Sequence, residues 1–199
     1  MSSCSAVSDG APGLIRAIEE CFPRSVRQRC LAHKMRNLQS KVPDDVWPEF
    51  HARARACYQA ASPALARLLR DDIVATYGTD LPSAVACLDD DFEACIAHLK
   101  FPLAHRRAIR TTNMLERLFG EARRRTKVIP HAFGERAVLK LMYAALIRAS
   151  QTWQRVVINE FEVRQIEDLR SELDEEFTKR STSTVTTASR RRIYSKSET

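Results

Sequence analysis

The sequence predicts a chain that is mostly α-helical with a small β component. Two short strand-like runs, 4–8 and 25–30, flank the first helical pattern. Beyond them, each regular apolar pattern repeats every three or four residues, the spacing of one helix face. Pro23, Pro43, Pro63, Gly78 and Pro130 punctuate the chain between those patterns.

Taken in order, Cys4-Ser-Ala-Val-Ser8 is a small-residue run that ends at Asp9-Gly10, and Gly10, Pro12 and Gly13 then form a turn. The next helix carries Leu14, Ile15, Ile18, Cys21 and Phe22 on one face and stops at Pro23. Ser25–Cys30 alternates weakly, as a second strand, and a basic helix follows from Leu31 to about Val42. Trp47, Phe50, Ala54, Cys57 and Tyr58 share the following stripe. Ser62-Pro63 is a cap with proline at the first helical position; Leu65, Leu68, Leu69 and Ile73 are the expected buried face, and Gly78 closes the helix. Ser83 caps a further helix with Val85, Leu88, Phe92, Cys95, Ile96 and Leu99 inside.

The stretch 110–127 is a helix with two chemically distinct sides. Met114, Leu115, Leu118, Phe119 and Ala122 fall on one, and Glu116, Gly120, Arg123 and Arg124 on the other. Asn113-x-x-Glu116 has the form of an N-cap followed by an N3 acid, which satisfies free backbone donors at a helix start. Pro130 begins a new element, and 137–147, apolar nearly all round, is expected as a central buried helix. Val163, Ile166, Leu169 and Leu173 form a narrow stripe on an acidic helix. Packing on the chain's own domain is preferred there over a self-association seam, which would make a homo-oligomer. From Arg180 the Ser/Thr/Arg-rich tail has too little apolar content to fold.

The 199 residues suffice for a real core, and 44% apolar content is ordinary for a globular protein. No apolar run approaches the roughly 20 residues of a membrane span, and Met1-Ser-Ser-Cys-Ser5 lacks a signal-peptide pattern. A cytoplasmic protein with no membrane partner is therefore expected. The six cysteines lie in apolar helical patterns and suit reduced, buried thiols. The net charge of +7 is unevenly spread. Residues 24–41 and 101–127 each carry +6, whereas 44–96 and 160–178 each carry −6. Basic blocks of this kind suit a polyanion docking on a limited surface.

Two carboxylates stand out as chemistry. Asp9 sits at a strand end before a glycine turn, and Glu116 sits over Gly120 beside arginines. If the fold joins them, they supply two of the carboxylates that hold paired Mg²⁺ or Mn²⁺ ions about 4 Å apart in phosphodiester chemistry. Taken singly, each is more simply a turn or cap residue. Arg106, Arg107, Arg110, Arg117, Arg123, Arg124, Arg125 and Lys127 are the phosphate-contact candidates. Cys30-x-x-His33 and Cys95-x-x-His98 each have half of a zinc spacing. Buried cysteine beside a hydrogen-bonded histidine is preferred to a zinc site.

Three motifs carry a family resemblance: Ser8-Asp9-Gly10-Ala-Pro-Gly13-Leu14, Arg29-Cys30-Leu-Ala-His33-Lys-Met-Arg36-Asn37, and Arg110-Thr-Thr-Asn-Met-Leu-Glu116 on to Lys127. In this order, from about Val7 to about Ile158, the chain resembles the mutator-type transposases of bacterial insertion sequences. The resemblance implies an α/β, ribonuclease-H-like core with an Asp-Asp-Glu metal triad. Asp9 matches the second aspartate and Glu116 the glutamate, while Cys30 and His33 match the Cys-x-x-His signature, in a structural or site-supporting role. The implied activity is Mg²⁺-dependent cleavage and joining of DNA at terminal inverted repeats, in which activated water or a 3′-hydroxyl attacks phosphorus.

In this family the first aspartate lies well upstream of the second, and here eight residues precede Asp9. The expectation is a C-terminal fragment, mostly α, inactive alone and with an unpaired sheet edge. Its parts would be a truncated second half of the core (1–43), a helical insertion (44–100), core helices with Glu116 (101–159), an acidic helix (160–179) and a disordered basic tail (180–199). The rival reading is a non-catalytic DNA-binding or interfering remnant that associates with full-length transposase.

Overall fold

The computed structural model describes residues 5–127, 134–153 and 158–194. Strand β1 (Ser5–Ser8) leads through helix α1 (Pro12–Cys21) into β2 (Val26–Arg29). The strands pair in parallel, Ser5 opposite Val26 through Ser8 opposite Arg29. Parallel pairing needs a crossover such as α1, because a hairpin would return the chain in the opposite direction. Both strands therefore end at one edge, where Asp9 and Cys30 leave the sheet. Among the described residues the sheet has these two strands.

Helices α2 (Leu31–Gln39), α3 (Trp47–Tyr58), α4 (Pro63–Tyr77), α5 (Pro82–Asp89) and α6 (Phe92–Ile96) follow, then a 3₁₀ turn at Ala97–Lys100. The chain continues through α7 (Leu103–Ile109), α8 (Asn113–Lys127), α9 (Glu135–Trp153) and α10 (Glu160–Tyr194). The main core lies in the helical middle rather than on the sheet. Leu31 and Leu38 of α2 join Phe50, Tyr58, Ile73, Leu88, Phe92 and Ile96 there. Alternating apolar stripes on α3 to α6 bury one another, as the heptad-like spacing of the α3 residues predicts.

Several expectations need correcting. In α4 the buried residues are Ala66, Ile73 and Tyr77, while Leu65 and Leu68 are exposed. The reason is a close approach to α3: the Cys57 thiol donates to the Ala66 carbonyl at 3.1 Å, a contact that favours small residues. The Ser62 cap is present as expected, its hydroxyl accepting the Leu65 N–H at 3.2 Å. The helix expected from Ser83 through Leu99 is broken at Asp90-Asp91, with Asp91 in the left-handed region at φ 58°. Aspartate tolerates this backbone. Its carboxylate takes both arms of the Arg27 guanidinium at 2.5 Å, and the buried Lys34 ammonium donates to the Asp90 carbonyl.

Helix α9, expected to be central and buried, has Leu139, Tyr143, Leu146 and Ile147 exposed. Helix α8 likewise exposes Met114, Leu115 and Phe119, although Leu118 is buried. The two helices pack on each other, and their remaining apolar surface faces outward among the described residues. On α1, Ile18 is buried but Leu14 and Phe22 are exposed. The Pro130 turn lies outside the described residues. The basic tail continues α10 as helix to Tyr194, where an unfolded segment was expected.

The acidic stripe packs inside the chain. Leu169 and Leu173 bury against Phe101, with Val26 and Ile109 alongside. Arg24 reaches Asp174 at 3.4 Å and lies over the Phe177 ring at 5.1 Å. Helix α10 begins with a reciprocal capping box: Glu162 N–H donates to Asn159 Oδ1 at 2.9 Å, and Asn159 N–H donates to Glu162 Oε2 at 3.1 Å.

Gln28 on β2 forms the buried polar link between sheet and insertion. Its amide donates to the Arg29 and Cys95 carbonyls at 2.6 and 3.0 Å, and its oxygen accepts the His98 N–H at 2.6 Å. Burial pushes the fully enclosed His98 imidazole down to about 4. The unfolded chain protonates this histidine at about 6.5. Between those values the unfolded state binds more protons, so stability rises with pH across the window and falls as pH drops from 6.5 to 4. The full effect is about 3 kcal/mol. In urea melts, His98→Gln should remove a stability loss of about that size between pH 6.5 and 4; equal pH slopes in both proteins would contradict the buried neutral imidazole.

Candidate functional site

The last residues of β2 organise the carboxyl edge of the sheet. The Cys30 N–H donates to the Ser8 carbonyl at 2.7 Å, which carries the parallel ladder one residue past the strands. Asp9 then turns the chain: its Oδ1 accepts the Ala11 N–H at 3.0 Å, an Asx-turn. Gly10 follows at φ 95°. A Cβ at Gly10 would lie 1.8 Å from the Arg29 guanidinium, so glycine is required here by both backbone and space. Arg29 is itself buried and lies 3.6 Å from Asp91. Thus the Asp9 turn rests on Arg29, and Arg29 rests on the left-handed corner of the insertion.

Cys30 does the equivalent work for Glu116. The Leu31 N–H donates to the Arg110 carbonyl at 3.0 Å, bringing the α7–α8 link against the start of α2. The Thr112 N–H donates to Cys30 Sγ at 3.3 Å, and Sγ also lies 3.3 Å from the Thr112 hydroxyl. That hydroxyl donates to Glu116 Oε1 at 2.7 Å. Burial alone would raise the Cys30 thiol, but the bonds to Thr112 and His33 outweigh it and bring it down to about 7. His33 completes the group from α2, with Nδ1 3.9 Å from Glu116 Oε1.

These distances change the expected role of Asn113. Helix α8 begins at Asn113, so Thr112 is the capping residue and Glu116 sits one place beyond N3. The reciprocal Asn-x-x-Glu box forms at Asn159 and Glu162 instead. Glu116 is 46% exposed, and its Oε2 makes no hydrogen bond among the described residues; the same holds for Oδ2 of the exposed Asp9. Each carboxylate thus has one oxygen fixed by the chain and a second oxygen available to a ligand.

The basic candidates separate into classes. Arg106 donates to the Phe101, Ala61 and Leu99 carbonyls at 2.8, 3.0 and 2.7 Å. These three bonds staple together the 3₁₀ turn, α7 and the α3–α4 loop. Arg110 is half-buried. Arg107, Arg117, Arg123 and Lys127 are exposed, and Arg124 pairs with Glu121 at 2.9 Å. The Arg125 side chain lies outside the described residues. Cys95 and His98 belong to the core hub: burial pushes the Cys95 thiol up to about 12, and His98 Nδ1 lies 3.2 Å from the Cys95 carbonyl. Among the described residues no three His, Cys, Asp or Glu side chains gather as a metal-ligand set.

The sequence singles out Asp9, Glu116, Cys30 and His33 as candidates, and it gives no role to Thr112, Arg29 or Asp91, which the structure places beside them. A hydroxyl residue four places before an acid was the available signal for Thr112. Nothing local marked Arg29 or Asp91, because their partners are distant in sequence.

With this geometry in place, comparison with known proteins identifies the family. Residues 4–156 match the family described as Transposase, Mutator family. The chain is 32% identical over 151 residues to the transposase for insertion sequence element IS6120 of Mycolicibacterium smegmatis, covering 76% of this chain and 47% of that protein. It is 32% identical over 148 residues to the transposase for insertion sequence element IST2 of Acidithiobacillus ferrooxidans, covering 74% and 50%. It is 30% identical over 150 residues to the transposase for IS256 in transposon Tn4001 of Staphylococcus aureus, covering 74% and 38%. The chain spans about half the length, or less, of these curated relatives. No helix among the described residues is long and apolar enough to cross a membrane. The matched stretch takes in β1 through α9 and both candidate carboxylates, and the chain belongs to the Mutator family of transposases.

Proposed function

We propose that this chain carries the second aspartate and the glutamate of an Asp-Asp-Glu site for DNA strand cleavage and transfer at insertion-sequence ends. The observation that supports the reading is that Asp9 follows β1 and Glu116 is tied through Thr112 to Cys30, which follows β2, so both carboxylates belong to the same carboxyl edge of the sheet. Ligand sites in open α/β folds lie at that edge. The β1–α1–β2 unit and α8 are read as part of a ribonuclease-H-like core.

The residues present suit a hard divalent cation: two exposed carboxylates, each with one oxygen held and one left to a ligand. Asp9 and Glu116 would hold Mg²⁺ or Mn²⁺, which when bound polarises the scissile phosphate and activates the attacking oxygen. The chain's own part is to orient. The Asx-turn fixes Asp9 and Thr112 fixes Glu116. Arg107, Arg117 and Lys127 steady the DNA backbone, which positions a substrate without reading its sequence. Asp9 and Glu116 are read as two members of the Asp-Asp-Glu triad.

Association with a full-length family transposase is the second reading, favoured by the outward apolar residues of α8 and α9, which are uncommon in quantity on a free monomer. Such an association would make the chain an interfering partner, detected as co-elution with full-length transposase and reduced cleavage by it.

Inverted-repeat DNA should bind with steep salt dependence. The double substitution Arg117→Gln/Lys127→Gln should reduce the slope of log affinity against log salt by about 2. Salt-insensitive or absent binding would sink the nucleic-acid reading. Any nicking of inverted-repeat DNA seen with Mg²⁺ should be abolished by Glu116→Gln; nicking that survives the substitution would contradict the metal role of Glu116.

A further inference from the structure

Thr112 stands where three elements meet: its N–H and hydroxyl face Cys30 at the end of β2, its carbonyl accepts the Glu116 N–H at 3.0 Å, and its hydroxyl reaches Glu116 Oε1 at 2.7 Å. A threonine hydroxyl has one proton, and here two acceptors compete for it. The Glu116 carboxylate is the stronger acceptor and the closer one. The direction of the relay follows. The Thr112 hydroxyl donates to Glu116 Oε1 at 2.7 Å, and its oxygen lies 3.3 Å from Cys30 Sγ. Cys30 Sγ in turn accepts the Thr112 N–H.

We propose that Thr112 is the positioning residue for Glu116, holding one carboxylate oxygen so that the other is presented to a ligand, with Cys30 fixing Thr112 to the sheet edge. The proposal rests on the Asp9–Glu116 metal reading for its functional meaning, but its geometric content stands without a metal. A glutamate side chain on the first turn of a helix has three rotatable bonds, and without a partner its carboxylate averages over solvent-exposed rotamers. The Thr112 bond removes that freedom at Oε1. It is also bound on its far side, because Thr112 cannot swing away without breaking two contacts to the buried Cys30. Partners of this kind behind metal-ligating groups typically govern affinity by about 10- to 100-fold.

The relay also explains why a β-branched hydroxyl residue suits position 112. Its branched Cβ restricts χ1, which limits the directions the hydroxyl can take between Cys30 and Glu116. Serine keeps the donor with a freer rotor, whereas valine keeps the shape and loses the donor.

Two measurements separate the positioning role from the metal reading. In the metal-free protein, side-chain couplings in NMR should report one Glu116 rotamer in the wild type, averaging in Thr112→Val, and a return to one dominant rotamer in Thr112→Ser. Averaging in the wild type, or an unchanged rotamer in Thr112→Val, would overturn the proposal whatever the metal does. Titration with Mn²⁺ alone should then show affinity falling about 10-fold or more in Thr112→Val and recovering to within about threefold in Thr112→Ser. Glu116→Gln should abolish the same binding. If Glu116→Gln binds Mn²⁺ as the wild type does, the metal reading fails while the rotamer result still decides the role of Thr112. If Glu116→Gln abolishes binding and Thr112→Val leaves it unchanged, the proposal fails and the metal reading stands.

Discussion

The bond between Cys30 and the start of α8 joins two parts of the molecule that share little other contact with the sheet edge. Leu31 to Arg110 and Cys30 to Thr112 are short-range contacts in space across about 80 residues of sequence. Each such bond contributes about 1 kcal/mol net, so the joint matters for geometry more than for stability. What makes it rigid is the anchoring of β2 itself. Gln28 ties the strand to Cys95 and His98, and Arg27 and Arg29 close on Asp91. Breaking a buried ion pair by removing one partner costs about 3–5 kcal/mol, because the remaining charge is left unpaired. The helical middle of the chain, which holds the main core, therefore fixes the strand whose end carries the candidate site.

This arrangement accounts for the polar character of β2. A central parallel strand normally shows a continuous apolar run. Val26-Arg27-Gln28-Arg29 is instead a strand whose side chains make long-range polar bonds: Arg27 and Arg29 to the Asp91 corner, and Gln28 to the core hub. The Gly10 turn adds a steric requirement, because the Arg29 guanidinium occupies the space a side chain would need. Arg29 thus lies against the Gly10 turn that follows Asp9, and the next residue, Cys30, meets the Thr112 that holds Glu116.

Much of this was legible in the sequence, and the limits are physical. The two strands, the helix between them, the α3 stripe, the Ser62 cap and the four residues Asp9, Glu116, Cys30 and His33 follow from local pattern or from the family motifs. Apolar pattern alone did not decide burial: Leu169 and Leu173 are buried, whereas Leu65 and Leu68 are exposed. Helix α9 is apolar nearly all round, yet Leu139 and Tyr143 face outward among the described residues, because apolarity states a need for cover and not its source. The exchange of Asn113 for Thr112 as the cap turned on a single residue of register, which helix signals resolve poorly. The Arg106 staple was not legible, because its three carbonyl partners carry no sequence signature.

We propose that Asp9, just past β1, and Glu116, tied through Thr112 to Cys30 just past β2, serve one cation site. Paramagnetic broadening by Mn²⁺ in amide NMR spectra tests it most directly. The signals of Asp9, Gly10, Glu116 and Arg117 should broaden together at the same low Mn²⁺ concentration, and Asp9→Asn should protect the Glu116 signals as well as its own. Broadening of the two groups at separate concentrations, or first along the acidic face of α10, would contradict the shared site.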